Sequence, residues 1–341
     1  MLRRTFLAAA CVAAVSSMAA GTAQAQTVLN MSTYAPYQHP LVSQAMVEWA
    51  GAVEKESGGR LKINVLTTAL GQPQAQYDLV VNGIADIVLA VPGYSPGRFP
   101  LSGVGELPQT ADTAEALSVA IWRLFEKTPA MQKEFGEVKV LGLFATSPYH
   151  FQSTKGPIKA LGDFKGVKVR VGGGVGSKVI EALGATSVLQ PAGKSFELLS
   201  GGVVDATVFP LETLKSFKLE SVVKNVSVVP GGLGAASLLV AINPAKFNAL
   251  APEDKNALLK ASGENLARIN GRVWDNNDKL GIKAFVAAGG TVTNVDGAVG
   301  KQMAQAMHPA LETWSNQVKK TTGVDGLALL SSLRAEAASV K

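Results

Sequence analysis

Arg170 is the side chain here best equipped to hold a small anion. It lies in Asp163-Phe164-Lys165-Gly166-Val167-Lys168-Val169-Arg170-Val171-Gly172-Gly173-Gly174. That stretch reads as a short strand delivering one arginine to a glycine-rich turn, with a helix beginning beyond it. A guanidinium presents a planar fork of donors that fits a carboxylate in two-point fashion. The N-terminus of the following helix adds exposed N–H groups and positive dipole character. Together they predict a pocket for a small anion.

Other patterns suggest catalysis, but their details do not support it. Gly93-Tyr94-Ser95-Pro96-Gly97 matches the spacing of a nucleophile elbow. An elbow needs the N–H after its serine for the oxyanion hole, and Pro96 has none. A turn is the better reading. Gly193-Lys194-Ser195 resembles the end of a phosphate loop, but the required glycine five residues earlier is Val188. Gly172 to Ser177 nearly fits a dinucleotide fingerprint and fails at Ser177. The three histidines (His39, His150 and His308) are far apart, so a zinc site is not expected. No carboxylate pair stands out for acid–base work. Asp86 and Asp205 each follow a glycine turn before a strand, and they read as caps on those turns. Their similar settings suggest two domains sharing one βαβ plan.

The elements that must position Arg170 alternate. Strands are predicted at Val28–Ser32, Leu61–Leu66, Asp86–Val91, Val138–Phe144, Val167–Val171, Thr186–Gln190, Val203–Phe209 and Leu238–Asn243. Helices are predicted from about Pro40 to Glu56, with Trp49 as a core anchor, and at Ala75–Asn82, Val175–Leu183 and Ser195–Leu199. Helical spacing of apolar residues continues almost unbroken from Pro252 to about Phe285, longer than one small domain is wide. Gly289-Gly290-Thr291-Val292 reads as turn and strand, and a last helix covers about Val299–Lys319. This pattern indicates a mostly parallel α/β sheet.

The N-terminus bears on compartment. Met1–Arg4 is basic, Phe6–Val15 is apolar but too short to span a bilayer, and Ala23-Gln24-Ala25 is a small-x-small cleavage site. A signal peptide over 1–25, cleaved after Ala25, is expected. Arg3-Arg4 leaves both Sec and twin-arginine export open. Lipidation at Cys11 is disfavoured because the apolar run continues past it. Cleavage removes two arginines and no acid, so the formal charge falls by two from +6 to +4. It also removes the single cysteine. The remaining chain is long enough for two ordinary domains without disulfides. Its positive charge is dispersed, which argues against nucleic-acid binding.

Several further elements run in order along the chain. They are Tyr34-Ala35-Pro36 with His39-Pro40, Trp49, Gly58-Gly59-Arg60-Leu61, Gly83-Ile84-Ala85-Asp86-Ile87, Gly97-Arg98-Phe99-Pro100-Leu101, Glu106-Leu107-Pro108, the Asp163–Arg170 run, Ala182-Leu183-Gly184-Ala185 and Gly201-Gly202-Val203-Val204-Asp205. On these residues the mature chain resembles the solute-binding proteins of tripartite ATP-independent periplasmic (TRAP) transporters. The resemblance implies an α/β, two-domain periplasmic-binding-protein-like fold with a cleft, crossing strands and a long domain-spanning helix. The expected division is 26–147 plus about 236–275 for domain I, and 148–235 plus about 276–341 for domain II.

The resemblance also implies a periplasmic receptor, not an enzyme. It would bind an organic acid in the cleft and deliver it to a membrane permease. The family's carboxylate-clamping arginine falls on Arg170. The second polar ligand position, about 20 residues earlier, is His150, which equally fits a structural histidine. As a ligand residue it would act as a neutral ring or add charge at lower pH. Many acid-sugar and dicarboxylate binders have a polar pair with asparagine where this chain has Val208-Phe209. Apolar residues there suit a monocarboxylate with an aliphatic or aromatic body, with Phe209 as a wall. Tyr34, Tyr94 and Glu212 lie in segments that face the family's cleft, and they are equally readable as packing or surface residues. No cofactor or metal is expected, and a monomer is. Two alternatives have the chain as a ligand sensor for a membrane receptor, or as an exported hydrolase using Ser95.

Overall fold

The computed structural model describes residues 26–295 and 297–340. The leader features in residues 1–25 lie outside the described residues. Eleven strands occur in them: β1 Thr27–Thr33, β2 Leu61–Val65, β3 Ile87–Ala90, β4 Lys139–Ala145, β5 His150–Ser153, β6 Lys168–Val171, β7 Thr186–Leu189, β8 Ala206–Phe209, β9 Asn225–Val228, β10 Ser237–Ile242 and β11 Thr291–Asn294. They form two sheets, one ordered β2-β1-β3-β10-β4 and the other β11-β9-β5-β8-β6-β7. This is the expected two-domain α/β architecture.

Each sheet is more mixed than predicted. β10 runs antiparallel to both β3 and β4. β5 runs antiparallel to both β8 and β9. In each case one strand arriving from the other sheet enters against the prevailing direction, which a local hydrophobic pattern cannot reveal. The chain leaves the first sheet through residues 146–149 and returns through 229–236. These crossings pair with each other: Thr146 N–H donates to Ala236 O at 3.0 Å, Tyr149 N–H to Gly234 O at 2.7 Å, and Leu233 N–H to Tyr149 O at 2.8 Å.

The shared plan of the two halves appears at their aspartates. Asp86 Oδ2 accepts Asn30 N–H at 2.8 Å, tying β1 to the entrance of β3. Asp205 Oδ2 accepts Lys168 N–H at 2.9 Å, tying β6 to the entrance of β8. Each carboxylate thus fastens a neighbouring strand to the strand entrance, where the sequence suggested a cap on its own turn. β8 begins only at Ala206, because Val203 and Val204 complete the turn after helix Ser195–Ser200 and donate to Leu198 O.

The long helical stretch is two helices, Pro252–Ala261 and Glu264–Ala287. They break at Ser262-Gly263, where Gly263 takes φ +63 and its N–H donates to Leu141 O at 2.8 Å. Helix Glu264–Ala287 passes between the two halves. At Gly271 a Cβ would lie 2.2 Å from Glu115 Cα, and at Gly281 it would lie 2.1 Å from Leu211 O. Ten residues of helix rise about 15 Å, so one rod touches backbone on both sides through two glycines. Trp49 is fully buried in the first-sheet core, and its Nε1–H donates to Ser262 Oγ at 3.3 Å.

Five α-helices among the described residues were not predicted, the short Thr213–Ser216 and Pro244–Ala249 among them. Ala114–Lys127 packs beside β4, and both Pro129–Glu134 and Gly326–Ser339 lie against Ala114–Lys127. The penultimate helix, Gly297–Thr322, packs on helix Gly174–Ala182. The C-terminal helices therefore divide between the halves. No helix among the described residues is long and apolar enough to cross a membrane.

Candidate ligand-binding site

β6 carries Val169, Arg170 and Val171 inward, and the chain then turns through Gly172 and Gly173 into helix Gly174–Ala182. The parallel neighbours β7 and β8 hold that strand on both sides. Arg170 is 1% exposed. Its Nε–H donates to Gln190 O at 2.9 Å, which fixes the plane of the guanidinium. Gly172 allows the close approach, since a Cβ there would stand 3.3 Å from Arg170 Nη2. On its other side the guanidinium carbon lies 4.3 Å from the centroid of Phe209. Burial works against the Arg170 charge, while Tyr94 and Tyr149 favour it. Arg170 Nη1 is buried and has no hydrogen-bond partner among the described residues. Buried donors are normally paired, so an unpaired cationic donor at a cavity wall is a strong mark of an anion site.

Arg170 opens onto a cavity of about 360 Å³ between the two halves. That volume is in the range of pockets that enclose small organic molecules. Aromatic side chains contribute much of the apolar wall. Tyr34 and Tyr94 meet edge to face at 6.2 Å, as do Tyr149 and Phe209 at the same distance, and Phe209 stacks on Phe217 at 5.8 Å. Trp274 of the crossing helix and Leu233 of the returning segment complete the lining. Tyr94 Oη accepts Ala192 N–H at 3.2 Å and so links the halves across the cavity. Burial holds both Tyr149 and Tyr34 well above the ordinary phenol range, so both remain neutral donors.

The sequence-predicted residues separate into two groups. Arg170, Phe209, Tyr94 and Tyr34 all line the cavity. Glu212 and His150 do not. Glu212 is buried behind His39, whose Nε2 lies 3.2 Å from Glu212 Oε1, within ion-pair range but at an angle unsuited to a hydrogen bond. His39 Nδ1 accepts Leu41 N–H at 3.2 Å, which puts the proton of a neutral ring on Nε2, facing Glu212. The Glu212 N–H donates to Asp278 Oδ1 at 2.8 Å. His150 turns to the β9 side, where its Nδ1 accepts Val229 N–H at 3.2 Å. Burial lowers it to about 4, with Asp112 opposing the shift, so it carries no charge at mildly acidic pH.

The sequence reading missed Tyr149, Phe217, Trp274 and Glu106 as lining residues. Tyr149 adjoins the position expected to contribute and sits on the crossing segment, so a one-residue offset was the available signal. Glu106 lies in the Glu106-Leu107-Pro108 run already noted, but nothing local indicates that its side chain reaches the cavity. Trp274 fits the apolar face of the long helix and is indistinguishable there from core. Ser95 follows a single 3-10 turn at Pro92–Tyr94, as the turn reading expects. No group of His, Cys, Asp or Glu among the described residues is arranged to hold a metal ion.

Residues 31–317 match the family model described as bacterial extracellular solute-binding protein, family 7. The chain is 33% identical over 338 residues to the outer membrane transporter protein TsaT of Comamonas testosteroni, covering 99% of this chain and 98% of the relative. Among solved structures, a TRAP periplasmic solute-binding protein from Bordetella bronchiseptica with bound (R)- and (S)-mandelate superposes with a TM-score of 0.87. The two are 34% identical, covering 92% of this chain and 100% of that one. A TRAP solute-binding protein from Rhodoferax ferrireducens in complex with copurified benzoate gives a TM-score of 0.86 at 30% identity, covering 92% and 98%. A marine metagenome TRAP solute-binding protein specific for aromatic acid ligands, in complex with 3-hydroxybenzoate, gives 0.87 at 30% identity over the same shares.

Proposed function

Because this chain belongs to the family 7 bacterial extracellular solute-binding proteins, we propose that it captures a small aromatic monocarboxylate and hands it to a TRAP-type permease. In this reading the protein is exported, its signal peptide is cleaved after Ala25, and it acts as a monomer in the periplasm. The two halves close on the ligand, and Arg170 grips the carboxylate. Phe209 and Tyr94 wall the apolar body, and Tyr34 stands edge-on to Tyr94.

One observation carries the reading. The unpaired Nη1 of a buried arginine borders a cavity that six aromatic side chains, Tyr34, Tyr94, Tyr149, Phe209, Phe217 and Trp274, help to line. A guanidinium in such a place is best satisfied by a carboxylate attached to a flat apolar body. The acids bound by the similar structures, mandelate, benzoate and 3-hydroxybenzoate, have this form.

The test is a thermal-shift and calorimetric series with benzoate, methyl benzoate and a sugar acid. Benzoate is expected to raise the melting temperature by mass action on the native state, and the uncharged ester is not. A preference for the sugar acid over benzoate would sink the assignment.

A further inference from the structure

Glu106 is a carboxyl group built into the cavity wall that forms no ion pair among the described residues. It ends the short 3-10 turn Ser102–Glu106 and is 6% exposed. Its position is imposed from three sides. Its backbone carbonyl lies against Gly234, where a Cβ would come within 2.6 Å of the oxygen. Its Oε1 would stand 2.6 Å from a Cβ at Gly93, and its Oε2 3.0 Å from one at Gly173. Gly93 adjoins Tyr94, and Gly173 is three residues beyond Arg170. Two glycines thus make room for the carboxyl group and a third for its backbone, at the meeting of the two halves and on the wall that carries the anion-binding arginine.

Among the described residues none of the charged groups on the surrounding elements pairs with the Glu106 carboxyl, although Arg170 Nη1 and Arg334 Nε are themselves without a hydrogen-bond partner. Arg170 faces Tyr94 and Tyr149, and Tyr149, a phenol kept neutral by burial, also faces Glu106. Lys194 lines the same cavity and pairs with the exposed Glu197 at 2.9 Å. On helix Gly174–Ala182, Lys178 pairs with Glu181 at 3.1 Å. On helix Gly326–Ser339, Arg334 donates to Pro108 O at 3.1 Å, and Glu336 pairs with Lys127. β10 contributes no titratable group. No ion pair or hydrogen bond to the Glu106 carboxyl is formed among the described residues.

We propose that Glu106 stands in the ligand site as a neutral carboxylic acid, so that binding a carboxylate requires it to hold a proton and the cavity admits monoanions while excluding dianions. This rests on the receptor reading above. The logic is charge balance in a dry cavity. Arg170 supplies one positive charge, and one ligand carboxylate neutralises it. An ionised Glu106, or a second ligand carboxylate, would leave a buried negative charge without a partner. As an acid, Glu106 offers an O–H donor to a neutral polar group on the ligand. Burial raises its pKa to about 8, which supports the same protonation state at neutral pH.

Two measurements decide the matter. In calorimetry with benzoate, the wild-type Kd is expected to weaken about tenfold from pH 7 to pH 9, as the free protein loses a proton that the complex must keep. In Glu106→Gln the Kd should stay constant across that range. Asp278, raised by burial to about 7 behind the cavity, is the competing titrating group. A slope that persists in Glu106→Gln and disappears in Asp278→Asn overturns the proposal, and so does a flat wild-type profile. The second measurement needs no ligand. A native state that keeps its proton while the unfolded chain loses it must lose stability as pH rises from about 4.5 to 8. The melting temperature of the wild type should therefore fall relative to Glu106→Gln between pH 5 and 8. Absence of that difference overturns the proposal. If benzoate and related acids fail to bind at pH 7, the receptor reading fails, and the ligand-free melts still report the proton on Glu106.

Discussion

The guanidinium carbon of Arg170 lies 4.3 Å from the centroid of the Phe209 ring, with the two residues on adjacent parallel strands. One face of the guanidinium is thereby spent on an aromatic ring and Nε on a carbonyl, and Nη1 is left without a partner. The donor set is oriented before any ligand arrives, which reduces the ordering cost of binding.

Arg170→Ala should abolish the benzoate-induced thermal shift. Removing one partner of a buried charge pair costs about 3–5 kcal/mol, or at least about a hundredfold in affinity. Arg170→Lys should recover only part of it, because an ammonium is a point charge and not a fork. The ligand-free alanine variant should melt no lower than the wild type, since it loses an unpaired buried charge. Wild-type affinity in Arg170→Ala would show that the anchor is elsewhere.

Phe209→Leu keeps apolar bulk and removes the π face. We expect benzoate binding to weaken several-fold, consistent with roughly 1 kcal/mol for a cation–π contact. Calorimetry at pH 7 reads it directly. Undiminished affinity would mean that the ring serves only as core, where it stacks on Phe217.

Gly281→Ala should destabilise the protein by about 1–3 kcal/mol or more, because the new methyl would press on the Leu211 carbonyl and overpacking strains a core. Gly51→Ala is the control: it lies in helix Val47–Glu56 with nothing within 4 Å of the added Cβ. There the exchange should stabilise by about 0.5–1 kcal/mol. Denaturant melts would refute the packing argument if the two variants moved together.

His150 is held at about 4 by burial, against about 6.5 in an unfolded chain. Its folded pKa is depressed, so the unfolded chain takes up a proton that the native state resists. This contribution to stability is present above about pH 6.5 and is lost as pH falls through about 4. His150→Gln should flatten that part of the acid limb in urea melts at pH 7 and 4.5. An equal loss in the variant would assign the acid sensitivity to other groups.

Arg170 and its turn could be read from sequence because their geometry is local. A strand, three glycines and a helix start are contiguous, and one arginine in that setting points to an anion. Most strand positions were readable for the same reason. The helices Ala114–Lys127 and Gly326–Ser339 escaped notice, although each buries a face against its neighbours, because no particular residue drew attention to them.

What only the tertiary structure decided is everything that depends on two distant segments meeting. Tyr149 reaches the cavity because residues 146–149 pair with 233–236. His150, one residue further, is turned to Val229. Glu106 becomes a cavity residue because Gly93, Gly173 and Gly234, far apart in the chain, leave room for it. The local residue patterns pointed to an α/β chain with an anion site at Arg170, and the family they resemble implied a receptor for a small acid. The crossing of the chain between two sheets selected which side chains face the ligand, since a side chain's direction at a domain junction is set by the partner backbone and not by its own neighbours.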